Sequence, residues 1–179
     1  MALTRLGLNQ SINLASNVTG TLATGNGGTG ATSFSPGKVG QVIQATTSSA
    51  VNVASTSVAD TGLTVNITPT AATSKVLVQV NQNIVTDIDT TGGNSKIQLR
   101  RGDTTVIDFT SNIARVEAGG ASSVKFGNLT TFSFLDSPST TSQITYKTRG
   151  AISSTSNNGT ARFQNSSVPS VITVMEILA

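Results

Sequence analysis

The stretch Lys75-Val-Leu-Val-Gln-Val-Asn-Gln-Asn-Ile84 decides the fold class, because its large apolar side chains recur at every second residue. Val76, Val78 and Val80 fall on one face of an extended chain, and mainly polar side chains fall on the other. β-Branched residues that alternate with polar ones are typical of a strand with one buried face. The stretch therefore predicts a half-buried strand in an antiparallel sheet.

The same two-residue period continues along the chain. Ile97 and Leu99 alternate with polar residues in the next run, and the apolar residues throughout are mainly Val and Ile. The run 171–178 is apolar on both faces, which favours a central strand or one that also meets a neighbouring subunit, and its one charge, Glu176, then needs a partner. The runs 39–45 and 51–58 fit either one bent strand or two. Other predicted strands lie at residues 63–68, 104–110, 124–135, 143–150 and 160–164.

Turn clusters rich in Gly, Pro, Asn and Ser separate these runs. About eight or nine strands at this spacing predict an all-β chain, folded as an antiparallel β-sandwich of the jelly-roll kind. Phe132 and Phe134 share a face of one strand, and we expect both in the core.

The composition excludes most enzyme chemistry. The chain has 179 residues and contains no His, no Cys and no Trp. The commonest general base, the thiolate nucleophile and the two preferred ligands of transition metals are therefore missing. Only 11% of residues are charged, against about 25% in an average protein, and 29 Thr and 23 Ser supply the polar surface instead. We expect no enzyme activity and no cofactor.

The charge pattern bears on nucleic acids and membranes. The net charge is +3, and its 11 Lys and Arg are scattered among 8 acidic residues, so no basic stripe suited to a phosphate backbone is present. No run of 18 apolar residues occurs, and the first nine residues lack the apolar block of a signal peptide. We expect neither nucleic-acid binding, nor membrane insertion, nor secretion by a signal peptide.

Residues 1–37 differ from the rest of the chain and are predicted to form a separate segment, followed by a sandwich domain at residues 38–179. Isolated Leu, Ile and Val side chains precede Gly25-Asn-Gly-Gly-Thr-Gly30. These apolar side chains are too few to bury a core. A disordered linker is one interpretation. The regular apolar spacing favours the other, a segment ordered by further copies of itself or by a larger particle.

The stretch 18–33, Val-Thr-Gly-Thr-Leu-Ala-Thr-Gly-Asn-Gly-Gly-Thr-Gly-Ala-Thr-Ser, resembles the "TGTLP-x-x-NGGTG-A-T" signature of tail-fibre and fibre-like virion proteins of tailed bacteriophages. The runs 34–44, 132–141 and 172–177 also resemble the head domain of such fibres. Ala23-Thr-Gly25 departs from the signature, where the family has Pro and apolar residues.

The resemblance implies a homotrimeric, non-enzymatic virion component with an attachment stalk and a β-sandwich knob. The implied stalk hinge consists of Gly25, Asn26, Gly27, Gly28, Thr29 and Gly30, in which glycine permits close approach of three backbones or a sharp redirection. The implied partners are other phage virion proteins at the stalk and a host cell-surface glycan or protein at the knob. We expect many weak contacts through polar loops, whose candidate residues are Thr90, Gly92, Asn94, Ser139, Asn157 and Asn158.

Two other functions stay open. A capsid decoration protein that stabilises the shell is the first alternative, favoured by the small size of the chain. A bacterial surface adhesin or sugar-binding module ranks last, because it predicts a secretion signal.

Three motifs suggest chemistry but have simpler interpretations. Arg101-Gly-Asp103 matches an integrin-binding tripeptide, yet a Gly-Asp turn is what a hairpin at this place requires. Asp87 and Asp89, with Asp103 or Asp108, suggest a Ca²⁺ site, but the spacing of a dedicated calcium loop is missing and solvated acids are favoured. A glycosidase pair drawn from Asp87, Asp89, Asp108, Glu117 and Asp136 is disfavoured by the short chain and the few aromatic residues. The Gly-rich run 25–30 lacks the Lys-Ser/Thr of a phosphate loop.

Overall fold

The computed structural model describes residues 38–89, 92–117 and 123–178 of the chain, so the predicted stalk and its hinge lie outside it. The described residues form β-strands, joined by turns and two short 3-10 helices at Ser156–Asn158 and Asn165–Ser167. The strands are β1 (Val39–Thr47), β2 (Val51–Val53), β3 (Ala59–Ile67), β4 (Lys75–Ile88), β5 (Gly93–Arg101), β6 (Thr104–Val116), β7 (Val124–Asp136), β8 (Ile144–Ile152), β9 (Thr160–Phe163) and β10 (Ser170–Ile177).

The strand order confirms the predicted β-sandwich. In one sheet, sheet A, β4 is the central strand. β7 pairs with β4 on one side, while β10 and β9 pair with successive parts of β4 on the other side. β1 then pairs with β10, and β2 pairs with β9. The other, sheet B, has the order β3-β8-β5-β6. The pairs β1 with β10, β3 with β8, β4 with β7 and β5 with β6 are nested along the chain, and all are antiparallel. A long antiparallel ribbon rolled up in this way is a jelly roll.

The alternation read from the sequence matches the burial of the strands. Val76, Val78 and Val80 of β4 are all fully buried, and so are Ile97 and Leu99 of β5 in sheet B. β10 lies between β1 and β4, which confirms it as a central strand. The runs 39–45 and 51–58 prove to be two strands, β1 and the three-residue β2.

A layer of buried polar side chains divides the core into two apolar clusters. One cluster lies around Val78, Leu99 and Tyr146, and the other around Ile84 and Phe163. The polar layer between them consists of Thr61, Gln82, Thr148, Gln164 and Ser170, none of which has exposed surface.

Each member of the polar layer finds hydrogen-bond partners within the fold. Gln82 Nε2 donates to Ser170 Oγ at 3.0 Å, and Thr148 Oγ1 donates to Gln82 Oε1 at 2.8 Å. Thr61 and Thr148 share a hydroxyl contact of 2.5 Å. The Gln164 amide fits best with its nitrogen donating to the Thr61 carbonyl at 3.0 Å and its oxygen accepting from Ser170. Because these bonds join sheet A to sheet B, they fix how the sheets face each other.

The phenylalanines mostly fill the core, as expected. Phe132 and Phe134 lie on one face of β7 and pack partly buried against the apolar clusters. The Phe132 ring contacts Phe109 with centroids 5.1 Å apart. Phe126, six residues before Phe132 on the same strand, is instead 45% exposed.

Candidate functional site

The jelly roll carries its loops at two opposite ends. At one, the entry end, the described chain begins at Lys38, whose carbonyl accepts a hydrogen bond from the Leu178 amide at 2.7 Å. The loops 68–74, 102–103 and 137–143 also lie there. The opposite, far end carries the loops 48–58, 153–159 and 164–169, together with Asp89 directly after β4 and Gly92 directly before β5.

The structure brings two of the predicted contact loops together at the far end. Asn94 and Ser153 are joined by two hydrogen bonds, from the Asn94 amide to Ser153 Oγ at 3.1 Å and from the Ser153 amide to the Asn94 carbonyl at 2.8 Å. Asn158 Nδ2 donates to Asp89 Oδ2 at 2.6 Å. Asp89 and Asn94 therefore form one surface with the loop after β8 at the far end.

The individual predicted contact residues differ in position. Gly92 and Asn158 are exposed at the far end. Asn94 is half-buried within β5 rather than in the preceding loop, because the strand already begins at Gly93. Ser139 is exposed at the entry end, on the opposite side of the domain. Thr90 and the side chain of Asn157 lie outside the described part.

Asp87 is engaged in ion pairs rather than available to a metal. Its Oδ2 accepts hydrogen bonds from Arg162 Nε at 2.9 Å and Nη2 at 2.6 Å, and Lys125 Nζ lies 3.6 Å away. Strand β9 places Arg162 there, since Arg162 is paired with Val85 beside Asp87 on β4. Within residues 38–89, 92–117 and 123–178, no three acidic side chains gather as a metal site would require. The prediction of a solvated acid is wrong for Asp87, which is buried within β4, while Asp89 is half-buried and accepts a hydrogen bond from Asn158.

Asp136 joins the two sheets at the entry end. Its two oxygens accept hydrogen bonds from Arg101 Nη1 at 2.9 and 2.8 Å, and the Tyr146 hydroxyl donates to Oδ2 at 2.7 Å. Burial, reinforced by the neighbouring Asp136 carboxylate, raises the pKa of the Tyr146 hydroxyl well above its ordinary value. Asp136 comes from sheet A and the other two residues come from sheet B, so these hydrogen bonds join the two sheets.

The same cluster settles the Arg101-Gly-Asp103 motif in favour of the hairpin turn. Gly102 has a φ of +55° between β5 and β6, a conformation in which glycine avoids the strain of a Cβ atom. The Arg101 guanidinium forms an ion pair with Asp136, so the tripeptide does not present a free arginine.

Glu176 is a buried carboxylate whose partners the sequence did not reveal. Gln41 Nε2 donates to Oε2 at 2.7 Å, while the Thr70 amide and Oγ1 donate to Oε1 at 2.6 and 2.7 Å. Burial raises the pKa of this carboxyl, but the hydrogen bonds outweigh burial and lower it to about 2. The predicted partner of Glu176 is thus a set of neutral donors from β1 and the loop 68–74, up to 135 residues away in sequence.

Asp108 and Glu117 also have polar neighbours, and Asp103 is exposed in the turn between β5 and β6. Gln98 Nε2 donates to Asp108 Oδ2 at 2.8 Å, and Arg115 pairs with Glu117. Asp60, on the outer face of sheet B, pairs with Lys147 at 3.3 Å and Arg149 at 3.0 Å. No two of the proposed glycosidase acids face each other across a described cleft. In the same part of the chain, no helix is long and apolar enough to cross a membrane.

Two shallow depressions mark the described surface. The larger, about 430 Å³, lies at the entry end of sheet A and is lined by Lys38, Thr73, Lys75, Leu135, Ile177 and Leu178. The smaller, about 280 Å³, lies beside the bulge in β3 and is lined by Asp60, Gly62, Leu63, Thr64, Thr145, Lys147 and Thr148.

Comparison with known proteins places the chain in no established family: it matches no family model and no curated protein. Among solved structures, it is similar to a chain in the structure of the infectious bursal disease virus Gx strain. The identity is 14% and the TM-score is 0.35, over 78% of this chain and 38% of that one. The VP2 subviral particle of the same virus gives 15% identity and a TM-score of 0.35 over 79% of this chain and 39% of that one. This chain therefore spans less than two fifths of the length of those proteins.

Proposed function

We propose that this chain is a structural protein of a tailed-bacteriophage particle, namely a short trimeric fibre whose knob contacts the host cell surface. The motif at residues 18–33 supports the phage assignment through its resemblance to fibre proteins. The role is adhesive and structural rather than catalytic, and it involves no cofactor, nucleic acid or inserted membrane segment.

The observation that carries the host-contact role is the placement of the loops. The described chain begins at Lys38 on the entry end, so an attached stalk leaves the knob there. Gly92 and Asn158 lie on the far end of the sandwich, away from Lys38, where residues 1–37 join the described domain. We therefore assign host contact to the far end, and Ser139 at the entry end is the weakest of the predicted contact residues.

A shallow far end is sufficient for adhesion if the knobs act together. Three knobs in one fibre and several fibres on one particle raise the overall avidity by about 10²- to 10⁴-fold over a single contact. Polar loops of Asn, Ser and Thr supply adaptable hydrogen bonds to a glycan or protein on the cell. No deep pocket is then required, in agreement with the shallow depressions of the described surface.

Location and copy number in the particle test the proposal. Cryo-electron microscopy without imposed icosahedral symmetry, combined with quantitative gel densitometry, gives both quantities. We expect density at the tail or at a vertex in a few trimers. Coverage of the capsid lattice would replace the fibre with the alternative of a decoration protein, and absence from particles would refute both.

A pair of matched variants tests the host-contact role separately. Ser156→Glu adds a charge to an exposed residue of the far end, and Thr73→Glu adds the same charge to an exposed residue of the entry end. Particles with Ser156→Glu should adsorb to host cells several-fold more slowly than those with Thr73→Glu. Equal adsorption by both would remove the far end from the contact surface.

A further inference from the structure

We propose that the outer face of sheet B, which points away from the core, binds acidic polysaccharides. The inference deepens the proposed host contact, on which it rests, by naming a class of ligand and a second contact surface in addition to the far end. The binding cations lie on the two central strands of the sheet and are Lys96 and Arg100 of β5 and Lys147 and Arg149 of β8.

The fold gathers these four cations, which the sequence shows only as scattered charges. The inward-facing side chains of both strands are buried, so the residues that alternate with them share the outer face. Arg100 lies directly opposite Lys147 where β5 pairs with β8, and Arg149 lies diagonally from Arg100 and from Lys96. Opposite Cβ atoms are about 5 Å apart and diagonal ones about 8 Å apart, so the four side chains begin within one compact area, which we call the basic patch.

Two cations of the basic patch have no acidic partner in the described part of the chain. Asp60 pairs with Lys147 and Arg149, whereas no ion pair between described residues includes Lys96 or Arg100. Like charges directly opposite each other in a sheet are destabilising, and such a pair is therefore retained at a cost to the fold. An acidic ligand removes that cost when it binds.

The guanidinium of Arg100 keeps hydrogen-bonding capacity for such a ligand. Its Nη2 donates to the backbone carbonyl of Asp103, and its Nε has no partner among the residues that the structure describes. Arginine presents several donors in a planar fork that matches the oxygens of a carboxylate or sulfate group. Arg100 is half-buried, so its stem is held against the sheet and less side-chain entropy is lost on binding.

A shallow depression beside the basic patch offers a place for a sugar ring. It has a volume of about 280 Å³ at the bulge of β3, and its lining includes Asp60, Thr64, Thr145 and Lys147. The Asp60 side chain is 57% exposed, so its carboxylate can accept hydrogen bonds from sugar hydroxyls. Lys147, on the same rim, can bind an acidic substituent of the ring.

Other anionic polymers fit this face less well than a polysaccharide does. The basic patch spans four residues along β5, or about 13 Å, which is too short to neutralise a long run of phosphates. In the described part of the chain, no aromatic side chain is exposed on sheet B, so a nucleic-acid base has no ring on which to stack. The exposed large apolar residues of the described chain all lie outside sheet B, so the face also lacks the apolar centre of a protein interface.

Binding of the purified full chain to polymers of known charge tests the inference. The probes are dextran sulfate and polygalacturonate, and unmodified dextran is the neutral control. We expect isothermal titration calorimetry at physiological salt to show binding of an acidic polymer and none of dextran. The two acidic polymers distinguish a sulfate from a carboxylate as the recognised group.

Three substitutions that remove the same charge locate the binding site. Arg100→Gln and Lys147→Gln act within the basic patch, and Lys75→Gln acts at an exposed residue of sheet A. Each of the first two should raise the dissociation constant about tenfold, because a hydrogen bond to a charged group is lost. Lys75→Gln should raise it less than about twofold, since screening by salt leaves little long-range attraction. Unchanged thermal unfolding would show that the variants are folded.

Several outcomes would overturn the inference. They are a lack of binding to both acidic polymers, an equal effect of all three substitutions, and equally tight binding of polyglutamate or single-stranded DNA, which would show attraction to any anion. Because the assay uses the purified chain, each of these results would leave the proposed fibre standing. Absence of the chain from virions would refute the fibre and leave the measured polysaccharide binding in place.

Discussion

The substitution Glu176→Gln measures how much the buried carboxylate contributes as a charged group. Glu176 has no exposed surface and accepts hydrogen bonds from Gln41 and Thr70. Its pKa is about 2 in the folded protein, against 4.5 for an ordinary glutamate. The fold stabilises the charged form of the Glu176 carboxyl relative to the unfolded chain. This pKa difference corresponds to about 3 kcal/mol in the free energy of unfolding at neutral pH.

The pH dependence follows from the sign of that difference. A lowered pKa means that the contribution is complete above pH 4.5 and is lost as the pH falls toward 2. We expect Glu176→Gln to lower the free energy of unfolding by about 3 kcal/mol at pH 7, and by only about 1 kcal/mol at pH 3. Urea titrations followed by far-ultraviolet circular dichroism at several pH values give both numbers.

The other glutamate of the chain provides the control. The Glu117 side chain is 73% exposed, so Glu117→Gln should change the free energy of unfolding by less than about 0.5 kcal/mol at every pH. A deficit for Glu176→Gln that is the same at pH 3 as at pH 7 would mean that lost packing, not lost charge, causes it. The reasoning from the pKa would then be refuted.

Three further substitutions test the packing and the turn by the same urea titrations. Gly150→Ala places a Cβ atom against the Phe163 ring and should cost about 3 kcal/mol or more, so a cost below 1 kcal/mol would contradict this packing. Gly102→Ala enters open space at a φ of +55° and should cost only about 1 kcal/mol, and a neutral result would argue against the positive φ. Ser170→Ala removes the acceptor of Gln82 Nε2 and should cost about 1 to 3 kcal/mol, whereas a gain in stability would show that the polar layer is dispensable.

The strands could be predicted from the sequence because each is a local pattern. The predicted run 124–135 corresponds to β7 at Val124–Asp136, and the run 171–178 corresponds to β10 at Ser170–Ile177. The run 75–84 ends too early, because β4 continues to Ile88 through Thr86 and Asp87. These polar residues are buried by β9 and β7, which lie far away in sequence, so no local pattern marks them as strand.

The polar contacts of the fold could not be predicted for the same reason. Gln82 and Gln164 resemble surface residues in the sequence, yet the pairing of distant strands buries both of them. Arg162 lies 75 residues from its partner Asp87, and no spacing rule connects the two. The predicted contact loops were found as polar stretches, but only the topology shows that Asn158 and Ser139 lie at opposite ends.

The nested pairing of strands has a consequence for how the knob is made. β1 completes its edge of sheet A only against β10, and the contact between Gln44 and Thr173 spans 129 residues. Chains dominated by such distant contacts fold in about milliseconds to seconds, much more slowly than helical bundles. During translation, β1 cannot pair with β10 until β10 has left the ribosome. A nascent chain therefore cannot complete sheet A before β10 has been synthesised.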